Sequence, residues 1–207
     1  MRILFQDSWL IAVEKPPGLL SQPGLGVDQQ DSLIGRLQFF DPELRLVHRL
    51  DRDTSGLLLL ARGAESLRRC SMLFSARRVR KLYVAVVVGR MNRNAGTISF
   101  SMARLQKNPP LYGKHPQGKD SRSQWRLRSC NAKGSMLWLW PLTGRSHQLR
   151  AHLASVGHPI LGDPIYGKEA VFERMYLHAT ALSFRHPFTG QRLRLRSRAT
   201  FLGAQEN

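Results

Sequence analysis

The sequence predicts a single α+β domain over residues 1–207, built on a mixed, largely antiparallel sheet flanked by helices and loops. Three observations predict it. Short β-branched or alternating apolar runs recur along the chain and crowd into its middle third. Only three segments carry helical spacing. No repeat, Ser/Gly linker or break in composition divides the 207 residues, of which 42% are hydrophobic, enough for a sizeable core.

Taken in order, residues 3–5 and 10–13 flank Gln6-Asp7-Ser8-Trp9 and read as a hairpin of two short strands. Lys15-Pro16-Pro17-Gly18 stops regular structure, and Pro23-Gly24-Leu25-Gly26 prolongs the loop. Leu33, Ile34, Leu37 and Phe40 stand at helical spacing behind an N-cap at Asp31 or Ser32. Residues 57–61 form a continuous apolar run suited to a buried strand, and residues 64–76 an amphipathic helix. Strands follow at 82–88, 96–102, 125–128 and 136–140. Between them residues 107–121, rich in proline, glycine and polar side chains, read as a mobile loop. Residues 146–156 place Leu149, His152, Leu153 and Val156 on one side of a helix that Gly157 and Pro159 end. Strands at 176–184 and 192–195 close the chain.

Charge narrows the partners. The formal net charge is +18, and arginine supplies 25 of the 32 basic residues, favouring planar, bidentate contacts. Residues 77–150 hold sixteen basic residues against one acidic residue, Asp120, whereas residues 1–76 balance nine against nine. So concentrated an excess repels itself, and a polyanion such as RNA or DNA relieves it. Cys70 and Cys130 form no CxxC pair, which excludes a disulfide scaffold and a thiolate zinc site. The N-terminus has no signal-peptide run and no apolar stretch is long enough to span a bilayer, so a cytoplasmic setting is expected.

Four segments carry residues able to do chemistry. In Val47-His48-Arg49-Leu50-Asp51-Arg52-Asp53-Thr54-Ser55-Gly56, Asp51 stands between two arginines that favour its carboxylate form, as a nucleophile or base requires. On spacing alone, a plain turn with Asp51 paired to an arginine is the better explanation. On residues 81–89, alternation puts Lys81, Tyr83, Ala85 and Val87 on one strand face, where Tyr83 serves either the core or a stacked base. Thr143-Gly144-Arg145-Ser146-His147-Gln148-Leu149-Arg150-Ala151-His152-Leu153 places Gly144 for close approach and Arg145 at a helix start whose amides face an anion. His147 and His152, five apart, align poorly for a metal, and capping and packing account for both. The fourth, residues 157–167 with two prolines and three glycines, specifies a fixed irregular loop.

Together and in this order, these segments resemble the RluA-type family of RNA pseudouridine synthases. His48-Arg49-Leu50-Asp51 followed by Thr54-Ser55-Gly56 resembles its HRLDxxTSG motif, and Lys81, Tyr83, Ala85, Val87 and Gly89 its KxYxAxVxG strand. Residues 144–150 with His152-Leu153 are similar to GRxHQ(L/I)RxHL; residues 157–167 and Leu177-His178-Ala179 also correspond. Glu14-Lys15-Pro16 departs from the family's Asn-Lys-Pro at a peripheral position.

The resemblance implies a pseudouridine-synthase fold and the conversion of uridine to pseudouridine in structured RNA, a tRNA or rRNA stem-loop, by base flipping. It implies no cofactor and no metal. Asp51 becomes the catalytic carboxylate, as nucleophile or base, with Arg145 paired to it and Tyr83 against the uracil. Arg49 fills the gap left by the flipped base, and His48 and Lys81 join the substrate-binding set. With no separate N-terminal RNA-binding domain expected, Lys107, Lys114, Lys119 and Arg122 of the basic middle third become the RNA grip, on a monomer with no membrane partner. A catalytically silent RNA-binding or remodelling protein of the same fold is the alternative, and charge alone also admits a DNA-binding protein.

Overall fold

The computed structural model describes residues 1–131, 134–167 and 172–202. In chain order the elements are β1 (Ile3–Gln6), β2 (Leu10–Lys15), α1 (Leu33–Gln38), β3 (Leu44–Leu46), β4 (Ser55–Arg62), α2 (Gly63–Ser75) and β5 (Arg80–Val88). There follow β6 (Ala95–Gln106), β7 (Leu111–Lys114), β8 (Lys119–Asn131), β9 (Gly134–Pro141), α3 (Gln148–Ser155), β10 (Leu177–Arg185) and β11 (Arg192–Arg196). The result is the mixed, mostly antiparallel sheet with few helices that the sequence predicts. Contacts divide the chain into two compact units, Met1–Arg80 with His178–Asn207, and Lys81–Leu177. Among the described residues no helix is long and apolar enough to cross a membrane.

In the first unit, β1 and β2 form the expected hairpin, its turn closed by Asp7, whose carboxylate accepts the Trp9 and Leu10 N–H groups at 2.8 Å each. β2 lies antiparallel to β4, and β4 meets β10 in a short parallel register, His178 opposite Ser55 and Ala179 opposite Gly56. That register requires glycine at 56. Its φ is +114°, and a Cβ there would come within 2.4 Å of the Ala179 carbonyl oxygen. Leu57 to Leu60 are buried throughout, as a strand covered on both faces demands. α2 lays Cys70 into a core with Leu57, Leu59, Leu182 and Phe184. α1 starts behind Ser32, whose side chain accepts the Gly35 N–H, choosing Ser32 over Asp31 as the cap.

The second unit is an antiparallel run in the order β5-β9-β8-β6-β7. One face carries Ala85, Val87, Ile98, Trp125, Leu137 and Leu139, and α3 covers it with Leu149 and Leu153. Two expectations change here. Residues 107–121 are not one loop: β7 pairs with β6 and β8 begins at Lys119, so most of the segment is hairpin. The prolines fall outside β7, where no ladder N–H is lost. The last helix begins at Gln148 and not at 146, because His147 adopts a left-handed conformation, φ +53°, ahead of it.

Candidate active site

Between β3 and β4 the chain crosses residues 47–54 without regular structure, and Asp51 lies there partly exposed. The main chain is pinned on both sides of it. The Ser21 hydroxyl donates to the Leu50 carbonyl at 2.8 Å and accepts the Leu50 N–H at 3.1 Å. Fully buried Lys15 donates its ammonium to three carbonyls, Pro16 at 2.8 Å, Leu19 at 2.6 Å and Arg52 at 2.7 Å. Arg52 in turn donates to Gly18 at 3.2 Å, and the Thr54 N–H closes a turn onto the Asp51 carbonyl at 3.1 Å. Charge-assisted bonds to three main-chain oxygens replace the water that a buried ammonium loses. Of the motif neighbours, His48 accepts the Leu59 N–H on Nε2 at 3.1 Å and stacks on Phe74, while Arg49 is exposed.

Sequence reasoning treated Lys15 only as part of a loop signal and missed this clamp. Lys15→Met strips the Leu19 and Arg52 carbonyls of a charged donor. Its expected cost is about 2–3 kcal/mol in denaturant unfolding, with faster hydrogen exchange at the Thr54 amide. Unchanged exchange at Thr54 would show that the segment holds its shape without the lysine.

In the second unit Tyr83 sits half-buried on β5, opposite Leu139 of β9, and packs against that unit's core. Lys81, on the same strand face, donates to the Thr143 carbonyl at 3.1 Å and so ties β5 to the turn that carries Arg145. Buried Gln148 organises that turn. Its Oε1 accepts the Thr143 hydroxyl at 2.6 Å and the Arg145 N–H at 3.0 Å, and its Nε2 donates to the Arg122 carbonyl at 3.0 Å and Ser123 Oγ at 2.9 Å. Arg145 is half-buried, with Nε donating to the Asp120 carbonyl at 3.0 Å.

Of the amides expected to face an anion, those of Arg145 and Gln148 are taken from within, by Gln148 Oε1 and the Arg145 carbonyl. Nor does the chain itself need glycine at 144, where a Cβ would meet only Lys81 Nζ at an ordinary 3.6 Å.

The irregular loop 157–167 is held by a buried ion pair. Arg150 Nε and Nη2 each donate to Asp163 at 2.8 Å, and the pair is almost wholly excluded from solvent. Asp163 Oδ1 also accepts the Ile165 and Tyr166 N–H groups. The Tyr166 hydroxyl then accepts the Tyr112 N–H at 2.9 Å and donates to the Tyr112 carbonyl at 3.0 Å, fastening β7. His147 contacts the rings of both tyrosines.

His152 is fully buried. Ser121 Oγ donates to the Phe100 carbonyl, so His152 Nε2–H donates to Ser121 Oγ at 2.7 Å, leaving Nδ1 buried without a partner. Burial pushes its pKa down to about 4 from an ordinary 6.5. Below about 6.5 the unfolded chain binds a proton that the folded chain refuses, so this contribution to stability is complete above that pH and is lost as pH falls toward 4. An expected loss on the order of 2 kcal/mol, allowing for screening, should appear in denaturant midpoints over that window. His152→Gln should flatten the slope, and an unaltered slope would place the acid sensitivity elsewhere.

The four residues expected to grip RNA are all exposed, but they divide between two faces. Lys114 and Lys119 each stand opposite Met102, on the side that buries Ile98 and Met102. Arg122 stands opposite exposed Ser99, on the other side of the sheet, and Lys107 lies in the turn before β7. Among the described residues no three His, Cys, Asp or Glu side chains gather as metal ligands.

Known proteins resemble the chain over most of its length. A family model described as RNA pseudouridylate synthase matches residues 9–155. The dual-specificity RNA pseudouridine synthase RluA of Vibrio cholerae serotype O1 is 39% identical over 189 residues, 89% of this chain and 77% of its own. RluA of Yersinia pestis is 36% identical over 206 residues, 97% of this chain and 100% of its own. The ribosomal large subunit pseudouridine synthase D of Nitrosomonas europaea is 34% identical and aligns with 92% of this chain, over 60% of its own length. Among solved structures, human RNA pseudouridylate synthase domain containing 1 superposes with a TM-score of 0.82 at 28% identity, covering 99% of this chain and 85% of that one. With the family's motifs in place along the strands and turns described above, the chain belongs to the RluA-type family of RNA pseudouridine synthases, isomerases that act on RNA.

Proposed function

We propose that the chain isomerises one or more uridines in a stem-loop of ribosomal or transfer RNA, drawing the target base out of its stack to do so. Relatives named for dual RNA specificity and for the large ribosomal subunit support this target class. In the reaction the bond from uracil N1 to ribose C1′ breaks, the ring turns, and C5 bonds to C1′. The C5 proton leaves to water and N1 takes one up, so the nucleotide keeps its composition and no co-reactant is consumed.

Asp51 supplies the reacting carboxylate, as nucleophile at the sugar or as base. Tyr83 packs on the uracil and serves the C5 proton transfer, and Arg145 supplies the positive charge of the reaction. Exposed Arg49 takes the space the base vacates. Lys107, Lys114, Lys119 and Arg122 pair with phosphates. His48 and Lys81 support the set through their bonds to Leu59 and Thr143. Residues 1–207 act as one catalytic domain and as a monomer, in the cytoplasm with the RNA. The observation that supports this reading is the main-chain pinning of Leu50 and Arg52 on either side of Asp51, which steadies the backbone that carries the carboxylate.

Transcripts of tRNA and rRNA made with uridine tritiated at C5 test it. Wild-type protein should release tritium to water. Tight binding with no release from any transcript or from cellular RNA lacking the modification would overturn it.

A further inference from the structure

The face of the second unit's sheet turned away from Tyr83 carries a surface of which the proposed function uses only Arg122. On β9, Leu137 and Leu139 point into the core, so Trp138 and Trp140 point outward, both partly exposed. On β8, Trp125 is buried while Arg122, Gln124 and Arg126 are exposed. The register sets Arg126 directly opposite Trp138, and Gln124 opposite Trp140. Beyond them on β6 stand exposed Thr97, opposite Gln124, and Ser99, opposite Arg122. The guanidinium of Arg128 lies over the Trp138 ring, 4.8 Å from its centroid. Directly opposed residues share a face, so these tryptophans and arginines form one patch, with the sheet itself between it and Tyr83.

A solvent-facing strand ordinarily carries polar side chains at such positions. Two tryptophans two residues apart are set about 7 Å from each other, roughly two steps of a stacked strand. Aromatic rings offer unpaired bases a sequence-tolerant stacking surface, and an arginine already lying on a ring extends that stack. Arg122 and Arg126 stand beside the rings where phosphates would run. The patch belongs to the stretch that holds sixteen basic residues against one acidic residue, so its charge complements a polyanion.

We propose that this face, centred on Trp138 and Arg126, binds an unpaired RNA segment that flanks the modified stem-loop. The inference rests on the substrate being RNA and adds to it a second contact, apart from the reacting base. It assigns the patch a single-stranded partner, because paired bases present no ring faces to the tryptophans.

The test uses the full chain with a fluorescently labelled oligouridine about twelve nucleotides long, titrated between about 50 and 200 mM salt. Wild type should bind with a steep salt dependence and quench its tryptophan emission. Trp138→Ala should weaken binding about tenfold and remove much of the quench, the range expected for one lost stacking partner. Arg126→Glu, at an exposed position that leaves packing intact, should weaken binding at least as much and flatten the salt slope. Oligomer affinity unchanged in both variants would overturn the proposal, as would variants that lose duplex RNA binding equally. Binding of an acidic protein in place of the oligomer, with no salt slope for RNA, would replace RNA by a protein partner and also overturn it. Tritium release by the same preparations separates the two readings. Release by wild type with unaltered oligomer binding in the variants sinks only this inference, whereas failure of release on every RNA sinks the catalytic one.

Discussion

Asp51→Asn is expected to reduce tritium release from C5-labelled RNA by on the order of 10⁴-fold or more, with RNA affinity equal to wild type or slightly tighter. The size follows from losing the group that makes or breaks the covalent bond, for which residual activity comes only from binding and orientation. The sign of the affinity change follows from charge, since the chain already carries +18 and the variant removes one negative side chain next to a phosphate polymer. The main-chain bonds that hold the segment should persist. The segment is held through main-chain groups of Leu50 and Arg52 and through the Asp51 carbonyl, none of which the substitution alters. Single-turnover release and filter binding on one preparation separate the effects. Activity within tenfold of wild type would remove Asp51 from the chemistry, and a parallel loss of binding would make it an RNA contact.

Much of the fold was legible because each element carries its own pattern. The continuous run Leu57-Leu58-Leu59-Leu60 reads as a strand buried on both faces, and it is one. Met136 to Trp140 read as a strand and β9 covers them, but with five apolar residues in a row only the assembled sheet shows that Trp138 and Trp140 face outward. Elements fixed by distant partners were not legible. Residues 111–114 offer little strand signal beside Pro109, Pro110 and Pro116, and become β7 by pairing with β6 and bonding to Tyr166, more than fifty residues away. β3, three residues long, exists only as an appendage of β4. The parallel contact of β4 and β10 covers two residue pairs, too few to leave a pattern.

The site divides the same way. Asp51, Tyr83 and Arg145 were legible through the family's motifs, while local spacing alone explained each as turn, core or cap. Lys15 was missed because a lone lysine reads as a surface cation, and its burial depends on the Arg52 carbonyl, 37 residues downstream. Gln148 stood inside a motif, but its four bonds to residues 122, 123, 143 and 145 appear only once the sheet is assembled.

Asp163→Ala should destabilise the protein by about 3–5 kcal/mol, a fall of roughly 10 °C in unfolding temperature for a chain of this size. Arg150, 2% exposed, would lose its carboxylate counter-ion, and removing the counter-ion of a buried charge is costly. The amides of Ile165 and Tyr166 would lose their acceptor at the same time. The damage should spread, because Tyr166 holds both main-chain groups of Tyr112, and exchange at the Tyr112 amide should quicken more than exchange in β4. Asp163→Asn keeps the acceptor for those amides and loses the charge, so its cost should fall between wild type and alanine. Combining Asp163→Ala with Arg150→Met should cost less than the sum of the two single changes, because the buried charge stripped of its counter-ion is then gone. Strict additivity would show that the two side chains stabilise the loop independently. A loss under about 1 kcal/mol for Asp163→Ala would mean that Arg150 finds another partner as the loop relaxes, and residues 157–167 would then be adaptable. With the pair intact, one buried bond network fixes the loop and β7, while Gln148, two residues before Arg150 on α3, fixes the turn bearing Arg145. Both contacts leave from the first turn of α3, so stability and the presentation of that arginine should fail together when either Gln148 or Arg150 loses its partners.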